Sequence, residues 1–301
     1  MALDAHCPTA YGFRDDKTKD VIMQICRTIA EIRASVADMH TTGTVGLVTT
    51  MGALHAGHMA LVKAASVHPN VVATIFVNPT QFGNASDLDK YPRTEDADLA
   101  MLENAGVTAV FVPTADEIYP DGEETIVETT NLANMLHGLV RPGHYRGVAT
   151  VVTKLFNIIG ADAAYFGEKD YQQLAVIRTM VRDLHTPIAI HGVPTVREAD
   201  GLAMSSRNVR LTIADRAAAP ILIAALTAAE ALLKSGETIE TAIDAIVATI
   251  VTEPLATLGA VDIVDPITFA PASGKPTGPV GIMISASFGD VMLIDQKEVT
   301  P

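Results

Sequence analysis

The stretch Val45-Gly46-Leu47-Val48-Thr49-Thr50-Met51-Gly52-Ala53-Leu54-His55-Ala56-Gly57-His58 sets the fold class. An apolar, strand-like run breaks at Gly52, two histidines flank a second glycine, and a helical spacing of apolar residues (Met59, Leu61, Val62, Ala65) begins at once. A loop from the carboxyl end of a strand to the amino end of a helix is where an α/β protein holds phosphates. Unpaired backbone N–H groups and the positive end of the helix dipole converge there, and imidazoles can donate hydrogen bonds to phosphate oxygens. Read alone, the turn could equally carry two surface histidines. A zinc site is the poorer reading, because H-x-x-H lacks the glutamate and third ligand of a metalloprotease and neither Cys7 nor Cys26 is near in sequence. Neither a G-x-G-x-x-G fingerprint nor a Walker A pattern occurs.

On either side of this loop, apolar runs at 45–48, 71–77, 107–112, 163–166 and 188–193 predict strands. Several are continuous and β-branched, as in a parallel sheet buried on both faces. Helical patterns at 58–67, 94–105, 147–159 and 170–184 separate them. The alternation predicts a doubly wound, Rossmann-like parallel α/β sheet. Beyond about residue 197 the texture changes to alanine-rich helical segments at 213–235 and 237–251, followed by short strands at 260–264, 280–286 and 291–294. This predicts a nucleotide-binding domain over 1–195 and a smaller C-terminal α+β domain over 196–301. The first twenty residues and the last few are expected to be poorly ordered.

The 301 residues carry a formal net charge of −14 with 49% hydrophobic residues, and the mean hydropathy is +0.28. That composition supports a large core and disfavours nucleic acid or an anionic membrane as a partner. Two cysteines without metal spacing fit a reducing cytoplasm. No signal peptide is evident, no apolar run is expected to span a membrane, and the run at 221–226 reads as a buried helix.

Three further constellations fall at strand ends or at the domain junction. Asn78 and Gln81, in Phe76-Val77-Asn78-Pro79-Thr80-Gln81, offer amides suited to hydroxyl and carboxylate groups, although Asn-Pro also makes a plain turn. Gly167-Glu168-Lys169-Asp170, with Gln173 one turn on, offers a point charge for phosphate and a carboxylate that could cap a helix or meet magnesium. Met204-Ser205-Ser206-Arg207 offers hydroxyls and a guanidinium suited to a polyphosphate.

Taken in order, these segments, with Tyr91-Pro92-Arg93-Thr94 and Arg141-Pro142-Gly143-His144-Tyr145-Arg146-Gly147-Val148, resemble the pantoate–β-alanine ligase family over nearly the whole chain. The H-x-G-H loop alone would indicate only the wider nucleotidyltransferase superfamily. The resemblance implies an AMP-forming ligase that makes an amide from pantoate and β-alanine through a pantoyl adenylate, in pantothenate biosynthesis, with ATP as substrate and Mg2+ on its phosphates. It implies a cytoplasmic homodimer. It makes His58 the proton donor, with His55 and Lys169 also catalytic. It assigns ATP to Met51, Gly52, Ala53, Leu54, His55, Ala56, Gly57, His58, Gly167, Glu168, Lys169, Asp170, Val196, Met204, Ser205, Ser206 and Arg207. Pantoate and β-alanine fall to Gln81, Gln173 and Asn78, and Asp170 is a candidate metal partner. The C-terminal domain is expected to act as a lid, closing over 204–207. Thr49 stands where the family usually has proline, which is expected to loosen the loop, and Ala56 where an acidic residue is common. Another adenylyl-transferring enzyme of the superfamily, or a nucleotide-binding regulator without catalysis, is the competing reading.

Overall fold

A six-stranded sheet carries the first two thirds of the chain in a computed structural model that describes residues 23–83 and 88–301. Its strands are β1 (Gln24–Cys26), β2 (Val45–Thr50), β3 (Asn70–Ile75), β4 (Ala109–Phe111), β5 (Ala163–Gly167) and β6 (Ala189–Val193). They are ordered β1-β4-β3-β2-β5-β6, and every pair is parallel. Helices α1 (Ile29–Thr42), α2 (Ala56–Ala65), α3 (Glu95–Asn104), α4 (His144–Ile159) and α5 (Tyr171–Asp183) cover it. Val45 and Leu47 point into a core shared with α1, α4 and α5, whereas Val48 points into the core shared with α2 and α3. Burial on both faces explains the unbroken apolar runs.

From β2 the chain winds through β3 and β4 on one side, and β5 and β6 lie on the other. The carboxyl ends of β2 and β5 therefore form the switch point where open α/β sheets bind ligands. The parallel sheet and its helices lie where the sequence predicts them, with shifts of a few residues at their ends. Neither β1 nor α1 was anticipated. β1 has only three residues, while α1 carries a capping box between Thr28 and Glu31.

The C-terminal part holds α6 (Ile213–Ala218), α7 (Ile221–Lys234), α8 (Ile239–Val251) and an antiparallel sheet of β7 (Ala256–Val264), β8 (Val280–Phe288) and β9 (Val291–Val299). The predicted single segment at 213–235 is divided at Ala219-Pro220. Contrary to expectation, the stretch Ile213–Lys234 is long and apolar enough, by length and composition alone, to cross a membrane. Its face of Leu222, Ala225, Leu226, Ala229 and Leu233 is instead buried in a core with α8 and β8. The expected disorder of the last residues is also corrected: β9 runs to Val299, which pairs with Val280 and is buried. The first twenty residues lie outside the described part.

Hydrogen bonds to β9 help to hold the junction between the parts. Arg197 donates two hydrogen bonds to Asp295 of β9, at 2.7 and 3.0 Å, and the Tyr171 hydroxyl donates to Glu298 at 2.8 Å. Asp295 is 2% exposed, so loss of that guanidinium would leave a buried carboxylate without its ion-pair partner. Arg197→Ala should lower stability to urea by about 3 kcal/mol, the low end for breaking a buried pair because the arginine is itself partly exposed.

Candidate active site

The cleft at the switch point encloses about 230 Å³. Thr49, Thr50 and Met51 at the end of β2 form one side, and Gly167, Lys169, Asp170 and Gln173 after β5 form the other. Asn78 and Gln81 after β3, Val196 after β6, and Met204 to Arg207 add to its lining, with Tyr91, Arg141 and His144. Phe76, Phe166 and the α4 side chains Val148, Val151, Val152 and Leu155 make one wall apolar.

The two histidines meet across the start of α2, with ring centroids 4.1 Å apart. His55 is the N-cap, and its Nδ1 accepts the N–H of Gly57 at 3.1 Å. His58 reciprocates: its Nδ1 accepts the N–H of His55 at 3.3 Å. A nitrogen that accepts an N–H carries no proton, so each neutral ring holds its hydrogen on Nε2. Burial, then the charge of Lys169, takes the His55 pKa down to about 4, against a partial rise from Asp170. Burial, then His55, takes His58 down to about 3. Both imidazoles are neutral Nε2–H donors at pH 7. Only glycine permits this cap, since a Cβ on Gly57 would lie 2.8 Å from His55 Cε1.

The rest of the loop is held by Asp98 of α3, which is 2% exposed. Its carboxylate accepts the N–H groups of Ala53 at 2.9 Å and Leu54 at 2.8 Å. Gly52 and Ala53 both have positive φ, 80° and 51°, and these bonds stabilise that bend. The open backbone N–H groups expected at this helix start are therefore taken in part: Asp98 and the histidines use those of Ala53, Leu54, His55 and Gly57. Side-chain donors face the cleft instead. Thr49 pairs with Thr74 inside β2, so its departure from the family's proline lies in the strand rather than in the loop.

Asn78 is buried with its amide fully engaged. It donates to Gln81 Oε1 at 2.9 Å and to the Gly147 carbonyl at 3.2 Å, and it accepts from Tyr119 at 2.7 Å and Thr80 at 3.0 Å. Asn78 thus orients Gln81. Gly147 allows α4 to approach this segment, because a Cβ there would lie 2.6 Å from the Thr80 carbonyl oxygen. His144 adds a second brace, its Nδ1 lying 2.8 Å from the Gln81 carbonyl and its Nε2 3.3 Å from Arg141. Burial, then Arg141, takes His144 down to about 4, so the neutral ring donates to the carbonyl and accepts from the guanidinium.

Lys169 and Arg207 supply cations to the cleft, and Asp170 is the one acid lining it among the described residues. Burial pushes the Asp170 carboxyl up, but Lys169, Arg207, His144 and Arg141 outweigh this and hold it below the usual carboxylate range. The Ser206 hydroxyl donates to the Ala53 carbonyl at 3.0 Å, tying the 204–207 loop to the histidine loop.

Of the sequence-predicted residues, Met51, His55, Gly57, His58, Asn78, Gln81, Gly167, Lys169, Asp170, Gln173, Val196 and 204–207 converge on the cleft. Gly52, Ala53, Leu54, Ala56 and Glu168 do not line it. Gly52, Ala53 and Leu54 shape the loop, and Ala56 is exposed. Sequence reasoning missed Asp98, whose partners lie 44 and 45 residues away and leave no local signal. It also gave no role to Arg141, His144 or Tyr91, although all three fall in the quoted motifs.

The chain matches the family model described as pantoate-beta-alanine ligase over residues 24–298. It is 48% identical over 282 residues to the pantothenate synthetase of Rhizobium meliloti (strain 1021), covering 93% of this chain and 97% of the relative. The crystal structure of pantothenate synthetase from Thermus thermophilus superposes with a TM-score of 0.88 at 44% identity, over 93% of this chain and all of that one. That of a pantoate-beta-alanine ligase from Francisella tularensis, complexed with beta-gamma ATP and beta-alanine, gives 0.76 at 34% identity over 91% and 97% of the two chains.

Both active-loop histidines titrate below the ordinary 6.5. The stability they contribute is therefore complete above that value and is lost as the pH falls toward 4 and 3. The acid limb of kcat/KM should lie near pH 4 with no histidine-like step at 6.5. Gly57→Ala should displace the His55 ring, weaken the helix start by about 1 kcal/mol and reduce turnover by about tenfold, a drop of about 1.4 kcal/mol in transition-state stabilisation. Thermal unfolding and steady-state kinetics measure the two effects.

Proposed function

The chain belongs to the pantoate-beta-alanine ligase family, and from that we infer that its cleft condenses pantoate with β-alanine, converting ATP to AMP and pyrophosphate. The observation that carries the reading is one cleft with two neutral Nε2–H donors at a helix start and two glutamine amides beside an apolar wall. In the first step a pantoate carboxylate oxygen bonds to the α-phosphorus and the bond to the bridging oxygen breaks, so pyrophosphate leaves with the electron pair. In the second the amine nitrogen bonds to the acyl carbon and AMP departs. Neither step needs a protein nucleophile. Both need fixed donors where negative charge grows, and a cleft that limits water.

His55 and His58 supply such donors to phosphate oxygens, joined by Lys169 and Arg207. Each neutral ring presents its Nε2–H there, and His58 keeps the role of proton donor. Gln81, oriented by Asn78, and Gln173 recognise the hydroxyls and carboxylate of pantoate, while the wall of Val148, Val151, Val152 and Leu155 receives its dimethyl carbon. The Met204 to Arg207 loop grips the triphosphate with Val196 nearby. We assign 1–195 to nucleotide and pantoate and 196–301 to a lid over them.

Magnesium belongs to the reading only as a companion of ATP. No group of three His, Cys, Asp or Glu side chains that could hold a metal occurs among the described residues, and Asp170 is surrounded by cations. These side chains do not fit a protein-built metal site, so no step is derived through one. A homodimer in the cytoplasm, taking only small-molecule substrates, completes the proposal.

An AMP-release assay with each substrate omitted in turn tests it. AMP should appear only when ATP, pantoate and β-alanine are all present, and His58→Ala should lower kcat by about 10²–10³-fold, as loss of one preorganised donor does elsewhere. Undiminished turnover in that variant would overturn the role given to His58. Pyrophosphate exchange into ATP without pantoate would point to another adenylyl transfer.

A further inference from the structure

The amide of Gln81 meets the cleft with its nitrogen. Its Oε1 accepts from Asn78 Nδ2 at 2.9 Å, which leaves Nε2 to point at the Met51 sulfur, 3.0 Å away on the cleft wall. A thioether is a weak acceptor, so that contact yields at little cost to a stronger one from a bound oxygen. The polarity of Gln81 is inherited from Asn78, whose amide nitrogen also donates to the Gly147 carbonyl at 3.2 Å. Asn78 in turn takes its polarity from what reaches its Oδ1. Thr80 gives two longer bonds there, from its hydroxyl at 3.0 Å and its N–H at 3.3 Å, and the Tyr119 hydroxyl gives the shortest, at 2.7 Å. Hydroxyl, two amides and cleft thus form one line. A donor received at each oxygen leaves as a donor at each nitrogen, and each bond in such a chain polarises the next.

Tyr119 is itself held in place, although it does not line the cleft. It ends the short helical turn Ala115–Ile118, and the ammonium of Lys154 on α4 lies 4.7 Å from its ring centroid. That lysine also donates to the Ile118 carbonyl and pairs with Glu123, each at 2.7 Å. Burial pushes the Tyr119 pKa up, so the hydroxyl keeps its hydrogen at pH 7. We propose that Tyr119 is a positioning residue for the pantoate end of the cleft: its hydroxyl, acting through Asn78, locks the Gln81 amide with Nε2 toward the substrate. The proposal rests on the ligase reading above, which gives Gln81 to pantoate. A cleft end locked as a donor selects an oxygen acceptor, from a carboxylate or a hydroxyl, and rejects a group that can only donate.

Steady-state kinetics of the full chain carrying Tyr119→Phe test this, since the ring and its contact with Lys154 remain. Loss of one such bond should raise the KM for pantoate about fivefold, while kcat and the KM values for ATP and β-alanine stay within about twofold. A merely structural role would move all of these together, or lower the unfolding temperature without changing any. Gln81→Ala removes the amide at the end of the line. Adding Tyr119→Phe to it should change the KM for pantoate by less than about twofold, the non-additivity expected of residues that act in series. An unchanged KM for pantoate in Tyr119→Phe would overturn the proposal, as would equal losses for all three substrates. A further loss of about fivefold beyond that of Gln81→Ala would overturn it too, because the tyrosine would then act by another route. Absence of AMP release from the unsubstituted protein with ATP, pantoate and β-alanine would instead defeat the ligase reading.

Discussion

The site depends on a reciprocal pair of hydrogen bonds in which His55 and His58 cap the same helix with their Nδ1 atoms. A capping box normally uses a hydroxyl and a carboxylate. With two imidazoles instead, satisfying the helix start and presenting donors to the cleft become one event. Each ring has two nitrogens, and committing one to the backbone fixes the proton on the other. Burial then keeps both rings uncharged. Donors fixed in this way need little reorganisation as phosphate charge develops.

That cap exists only because its surroundings hold it. Gly57 leaves room for the His55 ring, and Asp98 clamps the left-handed bend at Gly52 and Ala53. Ser206 reaches the same bend from the far loop. On the opposite side Asn78, Gly147 and His144 fix Gln81 between α4 and the end of β3. The cleft is thus two braced loops on adjacent strand ends, with the cations of Lys169 and Arg207 between them.

Much of this was legible in the sequence, for a physical reason. A parallel sheet buried on both faces writes its strands as continuous apolar runs, and the runs at 45–48, 71–77 and 163–166 end in polar residues at the site. The polar residues at those strand ends were found for the same reason, whereas Arg141, His144 and Tyr91, which also line the cleft, follow no strand and were given no role. The braces were not found, because Asp98 acts on backbone groups far away in sequence and its signal is an ordinary acidic helix start at 95–98. The loop itself was misread in one respect: open N–H groups were expected where Asp98 and the histidines supply acceptors. At the chain end, short alternating runs hid the length of β9, whose pairing with β8 reaches Val299.

Nitrogen-15 NMR of the imidazole rings reads the protonation pattern of the histidine pair directly. At pH 7 His55 and His58 should each show an unprotonated Nδ1 and a protonated Nε2, unchanged as the pH falls through 6.5. A proton on either Nδ1, or a ring that charges near pH 6.5, would contradict the neutral, backbone-locked pair on which the site is built.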